Sequence, residues 1–378
     1  MKTIKTIPYG RQSVAEDDIA AVTEVLCSEW LTTGPKVPAF EEAVAGYCGA
    51  RHGVAVSSGT AALHAAMYAI GIETGDEVIV PAITFAATAN CVVYQGGRPI
   101  FADVEEDTLL IDSEDVIQKI TDRTKAIIAM DYAGHPCNYE VLSNIAKKHD
   151  LFLIADSCHA LGAEYRGRRT GTLADLTTFS FHPVKHITTG EGGMIVTNNT
   201  YFADRMRMFR NHGITSDHRQ RAEKHTWKYD MVDLGYNYRL SDIQCALGIS
   251  QLKKLPNWLK RRQEIAARYD KAFMKTNIRS LSKHPKCSHA YHLYVVRVPQ
   301  RDKIFNILRE SGIGVNVHYA PLHLHPYYRS KFNCQPGICP KAERAAESIL
   351  SLPIFPALSD LEQTQVITAI NTAVTDSQ

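Results

Sequence analysis

Short runs of β-branched and other apolar residues recur along the first two thirds of the chain. Their length and composition predict seven strands, at residues 53–56, 76–81, 99–104, 126–131, 152–156, 176–181 and 194–197. Helical patterns separate most of them, at residues 61–70, 84–93, 113–120 and 139–149. Strands that alternate with helices indicate an α/β fold with a largely parallel sheet, covered by helices on both faces.

The pattern changes after residue 240, where helices become longer and strands fewer. The predicted elements are helices at 243–254 and 258–275, a strand at 291–298, a helix at 302–311, a strand at 314–318 and a helix at 360–372. A chain of 378 residues is also long for one ordinary domain. We therefore predict a large domain at residues 1–250 and a smaller C-terminal α/β domain at residues 251–378.

Composition and charge narrow the class of protein. A hydrophobic content of 45% with 22% charged residues is typical of a globular chain, and a net charge of +2 offers no basic field for nucleic acid. No apolar run has membrane-spanning length, and the N-terminus does not resemble a signal peptide. Nine cysteines without a CxxC pair predict reduced thiols, a cytoplasmic location and no metal site.

Lys185 follows the strand at 176–181 and precedes the glycine-rich sequence TTGEGG at 188–193. A lysine at a strand end can lose its proton near neutral pH when burial disfavours the ammonium form. The neutral amine is then a nucleophile for an aldehyde, which is the chemistry of a pyridoxal Schiff base. A surface lysine in a loop is the alternative, and the other strand ends of the chain argue against it.

Two further strand ends carry polar groups, at residues 57–60 and at Asp156. In parallel sheets ligands gather beyond the carboxyl ends of the strands, so we expect these groups to meet Lys185 in one crevice. Gly59 allows close approach of an anion to the first turn of a helix, although a simple N-cap explains that segment equally well. A buried aspartate needs a partner, and either a pyridinium nitrogen or the next helix N-terminus would serve.

Three more residues and two segments are candidates for the same site. Phe85 could stack on a flat ring or belong to the core. His159 could donate a hydrogen bond to Asp156 or to a phenolic oxygen, or be an ordinary core histidine, and Ser180 could reach a phosphate. The segment 234–242 contains two tyrosines, an asparagine and an arginine, which bind anions and hydroxyls, although it could also serve as an N-cap. The histidines of segment 317–325 lack a nearby carboxylate or cysteine, so a substrate-contacting loop is expected there rather than a metal site.

With these segments in this order, the chain resembles the DegT/DnrJ/EryC1/StrS family of sugar aminotransferases over nearly its whole length. The sequences that carry the resemblance are LTTGP at 31–35, SSGTA at 57–61, ADS at 155–157, SFHPVK at 180–185, GYNYR at 235–239 and HY at 318–319. The family implies pyridoxal 5'-phosphate and fold type I, with a seven-stranded, mostly parallel sheet and a smaller C-terminal domain. It implies Lys185 as the Schiff-base lysine and proton shuttle and Asp156 as the partner of the pyridine nitrogen. The other implied cofactor residues are Ser58, Gly59, Thr60, Phe85, His159, Ser180 and Asn237.

The resemblance also implies the substrates and the assembly. Thr32, Arg239, His318 and Tyr319 would contact substrate. Asn237, together with Arg239, would reach either the cofactor phosphate or the substrate of a neighbouring subunit, in a homodimer with shared active sites. L-Glutamate would donate the amino group. The sequences around Lys185 are most similar to the branch that aminates UDP-linked 4-keto-6-deoxy sugars in pseudaminic acid synthesis.

One departure concerns His186, where proline is expected in that branch. A dehydratase of the family, with histidine in place of the lysine, is a second reading that the presence of Lys185 disfavours. A cofactor-binding sensor on the same fold is a third, since a fold alone does not establish catalysis.

Overall fold

The computed structural model describes residues 6–377, and its strands and helices alternate over the first 200 of them. The strands are β1 (His52–Val56), β2 (Glu77–Pro81), β3 (Arg98–Ala102), β4 (Thr124–Met130), β5 (Phe152–Asp156), β6 (Glu164–Tyr165), β7 (Arg168–Arg169), β8 (Leu176–Ser180), β9 (Gly193–Thr197), β10 (Arg279–Ser280), β11 (Cys287–Ser288), β12 (Tyr294–Arg297) and β13 (Ile349–Leu352). The α-helices are α1 (Glu16–Leu26), α2 (Lys36–Cys48), α3 (Gly59–Ala69), α4 (Ala86–Tyr94), α5 (Ser113–Gln118), α6 (Tyr139–Lys148), α7 (Thr200–Phe209), α8 (His218–Glu223), α9 (Asp242–Phe273), α10 (Arg301–Glu310), α11 (Pro326–Phe332), α12 (Pro340–Ala346) and α13 (Asp360–Thr375). Short 3₁₀ turns lie at Tyr132–Gly134 and Leu322–Leu324.

The central sheet has seven strands in the order β1-β9-β8-β5-β4-β2-β3. Strand β9 runs antiparallel to both of its neighbours, and the other pairings are parallel. Strands such as β2 are buried along their whole length, because helices cover both faces of a parallel sheet. The predicted seven-stranded, mostly parallel sheet is confirmed, and each of its strands overlaps a predicted one.

The C-terminal third differs from the sequence prediction in two places. A single 32-residue helix, α9, replaces the two helices predicted at 243–254 and 258–275. It continues through Pro256 because the helix packs on α1 and α2, and this packing outweighs the hydrogen bond lost at one proline. The strand predicted at 314–318 is absent as a ladder: Asn316 alone bridges Ser351, and β13 takes the place beside β12.

Apolar side chains form separate clusters on the central sheet and in the C-terminal third. The first cluster joins the sheet to helices such as α3 and α4. A second cluster joins the last part of α9 to β12, β13, α10 and α13. Helix α9 itself runs through residue 250, so the domain boundary at residues 250 and 251 stays a prediction. Across residues 6–377 there is no helix with the length and apolar character needed to cross a membrane.

Candidate active site

A cavity of about 380 Å³ opens where β5 and β8 end and helices α3 and α4 begin. Ten of the residues singled out from the sequence line it together. They are Ser58, Gly59, Thr60, Phe85, Asp156, His159, Ser180, Lys185, His318 and Tyr319. The convergence at the carboxyl ends of the strands is the one expected for an α/β sheet.

Lys185 follows β8 in a turn in which its amide donates to the carbonyl of His182 at 2.9 Å. The side chain is partly exposed, and it lines the cavity. Burial lowers the pKa of its amine below the usual lysine value, while Cys158 and Asp156 act in the opposite direction. The neutral amine is therefore more abundant at a given pH than for a lysine in water.

Asp156 ends β5 and is 2% exposed. The Thr88 hydroxyl donates to its Oδ2 at 2.7 Å, and the Cys158 amide donates to its Oδ1 at 3.2 Å. Thr84 in turn contacts the Thr88 hydroxyl at 2.6 Å. No α-helix begins directly after Asp156 in the described chain, so capping of a helix does not explain this carboxylate. It is oriented by hydrogen bonds at the edge of the cavity.

The start of α3 forms a tight turn against the end of β8. Ser58 is the N-cap of α3 and accepts a hydrogen bond from the Ala61 amide at 3.0 Å. A Cβ atom at Gly59 would lie 2.9 Å from the Ser180 Cβ and 3.2 Å from the Cys158 Sγ. Packing therefore requires glycine at position 59, and the predicted N-cap of this helix is formed by Ser58. The same turn directs the first amides of α3 towards an anion.

Aromatic side chains line one side of the cavity. The Phe85 side chain is 55% exposed although it lines the cavity, and its ring centroid lies 5.9 Å from that of Tyr319. The Tyr319 hydroxyl lies 3.2 Å from Nε2 of His159. Nδ1 of His159 is buried and has no hydrogen-bond partner among residues 6–377. Burial lowers the pKa of His159 well below its usual value, so this imidazole is neutral.

His318 is held at both ring nitrogens. Its Nδ1 lies 2.8 Å from the Ser351 hydroxyl and its Nε2 lies 3.3 Å from the Asn316 amide nitrogen. Burial lowers the pKa of His318 to about 4, so it too is neutral at physiological pH. With both ring nitrogens occupied, His318 lines the cavity as an uncharged ring.

Five polar or aromatic cavity residues were not singled out from the sequence: Tyr9, His182, Glu191, His292 and Asn316. His182 and Glu191 lie inside the segment 180–193, whose glycine-rich character was the signal that marked it. Asn316 is two residues from His318, so sequence proximity could have found it. Tyr9 and His292 come from remote parts of the chain and carry no local motif.

Three predicted site residues do not line this cavity: Thr32, Asn237 and Arg239. Thr32 and Asn237 are exposed, and they form isolated backbone bridges with Ser241 and Asn211. Arg239 donates to Oδ1 of Asn211 at 2.8 Å and lines a different cavity, of about 520 Å³. Within one chain, the contacts predicted for these three residues are not formed.

The departure at His186 has a structural explanation. Its ring is 3% exposed and does not line the cavity. Nε2 of His186 donates to the Ala290 carbonyl at 3.0 Å. His186 therefore points into the protein, away from the cavity where Lys185 lies.

The cavity meets the requirements of pyridoxal phosphate. The first turn of α3 opens on the cavity at Ser58, Gly59 and Thr60, Phe85 exposes a ring, and Nδ1 of His159 lacks a partner among the described residues. A lysine of lowered pKa and an oriented carboxylate complete the donor set. The described residues contain no group of three His, Cys, Asp or Glu side chains able to hold a metal ion. Fold and site together define a pyridoxal-phosphate enzyme of fold type I.

Comparison with known proteins supplies the family. The sequence profile of the DegT/DnrJ/EryC1/StrS aminotransferase family matches residues 12–371, and the chain belongs to this family of pyridoxal-phosphate-dependent sugar aminotransferases. The spore coat polysaccharide biosynthesis protein SpsC of Bacillus subtilis is 39% identical, with 97% of each chain covered.

Two solved structures are also similar. The putative sugar aminotransferase Spr1654 of Streptococcus pneumoniae, in its PMP form, superposes with a TM-score of 0.94 at 33% identity, covering 98% of this chain and 100% of the other. PseC of Helicobacter pylori, an aminotransferase of pseudoaminic acid biosynthesis, superposes with a TM-score of 0.92 at 34% identity over the same shares. Spr1654 is also known in a PLP form, with a TM-score of 0.93. The predictions of the family, the fold, the aminotransferase class and the cofactor are confirmed.

Proposed function

We propose that this aminotransferase moves the amino group of L-glutamate to a nucleotide-linked 4-keto-6-deoxy sugar, with UDP as the nucleotide. The observation that carries the chemistry is the meeting of Lys185, Asp156 and the first turn of α3 in one cavity. The likeness to PseC and SpsC supports a sugar destined for a surface polysaccharide, such as pseudaminic acid. The nine free cysteines suit a reducing cytoplasm, where we place the reaction.

The residues of the cavity can hold the cofactor at five points. Lys185 would hold it covalently through Nζ, and the Asp156 carboxylate would pair with the protonated ring nitrogen. Phe85 would stack on the ring face, and His159 would meet the phenolic oxygen with its unpartnered nitrogen. The phosphate would bind the α3 amides with Ser58, Gly59, Thr60 and Ser180 around it. Pyridoxal phosphate, when bound, supplies the electron sink for carbanion chemistry.

Lys185 also has the position of a general base, and burial shifts its pKa in the direction that this role requires. The unattached Lys185 amine lies in the cavity, and burial lowers its pKa. Such an amine would take a proton from the substrate carbon that carries the nitrogen and return it to the cofactor carbon on the other side of that nitrogen. Tyr319 and His318 line the same cavity and would contact the substrate without adding charge.

Thr32, Asn237 and Arg239 would act in the cavity of a second copy of the chain. Asn237 and Arg239 follow an exposed apolar segment in the sequence, and Thr32 bridges Ser241 shortly after it. The large side chains of this segment are Trp227, Tyr229, Met231, Val232 and Leu234, which are 54–81% exposed. Exposed apolar residues of this size are typical of a surface that another chain covers. A two-fold dimer would then place both copies of the segment at shared active sites.

The site geometry does not favour the alternative function, a sugar dehydratase. It requires a histidine in place of the attachment lysine, and His186 hydrogen-bonds the Ala290 carbonyl instead of lining the cavity. Lys185 is present and lines the cavity.

The decisive experiment combines the spectrum of the cofactor with a sugar assay. L-Glutamate should convert the bound cofactor to its amine form, and the correct keto-sugar nucleotide should restore the starting spectrum. UDP-, dTDP- and GDP-linked 4-keto-6-deoxy sugars would be compared, with mass spectrometry of the amino-sugar product. A response to L-glutamate with no sugar aminated across the panel would contradict the proposal and favour a sensor.

A further inference from the structure

Three buried histidines from separate parts of the chain meet beside Lys185. The ring centroids of His159 and His292 are 4.3 Å apart, and those of His186 and His292 are 5.7 Å apart. His292 is 5% exposed and lines the cavity with His159 and Lys185. Its Nδ1, like that of His159, is buried and has no partner among the described residues. A buried polar atom without a partner calls for a functional explanation.

His292 belongs to a stretch that we call the crossing segment, residues 289–293, which runs from β11 towards β12. Two backbone hydrogen bonds fix it to the turn after β4: the Ala290 amide donates to Gly134 at 2.9 Å, and the Leu293 amide donates to Ala133 at 3.2 Å. A Cβ at Gly134 would lie 2.8 Å from the Tyr291 nitrogen. The crossing segment therefore sits directly against the backbone of the large sheet.

Arg262 of α9 fixes the same segment from the opposite side. Its guanidinium is 1% exposed, and Nη1 donates to the carbonyls of Tyr291 at 2.9 Å, Ile354 at 3.0 Å and His292 at 3.4 Å. Within residues 6–377 no carboxylate forms an ion pair with it. Burying an arginine without a counter-ion is costly. The hydrogen bonds to these three carbonyls must offset that cost, so they fix the positions of the carbonyls.

His186 links the crossing segment to the attachment lysine. It is the residue after Lys185, and its Nε2 donates to the Ala290 carbonyl at 3.0 Å. The backbone that carries Lys185 and the backbone that carries His292 are thus joined by one hydrogen bond. Any movement of the crossing segment would be transmitted to the lysine.

We propose that His292 is a positioning residue, held by Arg262 and His186, whose ring packs on His159 and excludes water from the ε-amine of Lys185. The groups that face this amine differ in their effect on its charge. Asp156 and Cys158 favour the ammonium form, whereas burial opposes it. The imidazoles of His159, His292 and His318 are neutral because burial lowers the pKa of each, so they desolvate the amine without stabilising its charge. The inference rests on the proposed role of Lys185 as the attachment point.

The ring of His292 would then be needed for its bulk, which makes two substitutions informative. His292→Ala leaves a space that water can enter, so the pKa of the Lys185 amine should rise towards that of an ordinary lysine. His292→Phe keeps the space filled and should leave the amine nearly unchanged. His323→Ala is the matched control, since His323 is equally buried but pairs with Glu343 away from the cavity.

The measurement is the rate at which cofactor-free protein takes up pyridoxal phosphate between pH 6 and 10. Borohydride reduction and peptide mapping would give the yield on Lys185. We expect the midpoint of the rate profile to move up by about one pH unit in His292→Ala, which is about tenfold slower uptake at pH 7. His292→Phe and His323→Ala should stay near the native midpoint.

Circular dichroism of each variant shows whether it is folded. An unchanged midpoint in folded His292→Ala, or an equal shift in His323→Ala, would overturn the proposal. If His292→Ala does not fold, a native midpoint in His292→Phe still supports it, and a raised midpoint there overturns it. The proposed function fails separately, when native protein takes up the cofactor on Lys185 and aminates no sugar.

Discussion

Two regions of the molecule hold their side chains in opposite ways. One is the wall, by which we mean the cavity residues at the ends of β5 and β8 and at the start of α3, and the other is the exposed segment at residues 227–239. In the wall, Asp156 and Ser58 are each fixed by hydrogen bonds from their own chain. In the exposed segment, Trp227 is 81% and Leu234 68% exposed, and Asn237 faces solvent. The wall is held by contacts within one chain, whereas the large apolar side chains of the segment remain exposed.

The difference follows from the two kinds of structure. A parallel sheet brings the ends of β5 and β8 to one edge, so residues far apart in sequence meet without any partner. A loop outside the sheet has no such constraint and buries its apolar side chains only against another surface. We therefore expect cofactor attachment to depend on one chain and sugar amination to depend on two.

Lys185→Ala would test the wall most severely. Both covalent attachment and proton transfer should be lost, so turnover should fall by at least about 10⁴-fold. Borohydride reduction followed by peptide mapping measures the attachment. Lys147→Ala, an exposed lysine on α6, is the control and should retain the label on residue 185. A label that persists on another lysine in Lys185→Ala would show that the attachment point is elsewhere.

Mixing two defective chains would test whether the segment serves a second chain. Asn237→Ala alone should lower activity about tenfold or more, and Lys185→Ala should have none. In a random mixture half the dimers are hybrids with one intact site each, so about a quarter of native activity should return. Size-exclusion chromatography with tagged chains would confirm exchange. Exchange without recovered activity would mean that Asn237 does not complete a partner's site.

The wall was largely predictable from the sequence, because its residues are marked by their immediate sequence neighbours. Gly59, Asp156 and Lys185 each stand directly after an apolar run, so a strand and its end could be located from a few neighbouring residues. The topology rule for parallel sheets then placed them together. No knowledge of distant contacts was needed.

The rest depended on contacts that no local pattern encodes. Helix α9 continues through Pro256 because other helices pack along it, and His292 reaches the cavity through bonds to Arg262 and Gly134. The exposure of Asn237 is likewise a property of the folded surface. Sequence identified the chemistry of this residue but not its distance from the cavity.

Gly193→Ala would test how tightly the wall is packed. A Cβ at Gly193 would lie 2.3 Å from the Ser58 carbonyl oxygen and 2.9 Å from the Gly59 nitrogen, which are backbone atoms. The start of α3 must shift, costing about 1–3 kcal/mol of folding free energy and weakening cofactor binding. Gly46→Ala, in α2 with open space around it, should be neutral or slightly stabilising. Equal urea midpoints for the two variants would show that the wall tolerates displacement.

The smallest effect is expected behind the wall, at Asp131. Ser157 and Tyr139 hydroxyls and the Cys137 amide donate to its carboxylate, at 2.5, 2.8 and 2.9 Å. Burial nevertheless raises the pKa of Asp131 to about 7, against an ordinary value of 3.8. The folded chain therefore holds a proton that the unfolded chain has released between these values.

The stabilisation of the folded chain by this bound proton is complete below about pH 4 and is lost as pH rises through 7. We expect the free energy of unfolding to fall by about 2 kcal/mol on this account between pH 5 and 7, because the folded chain keeps the proton over most of that interval and the unfolded chain has lost it. Asp131→Asn cannot ionise, so its stability should change less over that interval in urea unfolding series. Parallel pH profiles for the two proteins would show that the carboxylate is already ionised in the folded chain, and that the three donors, rather than burial, decide its charge.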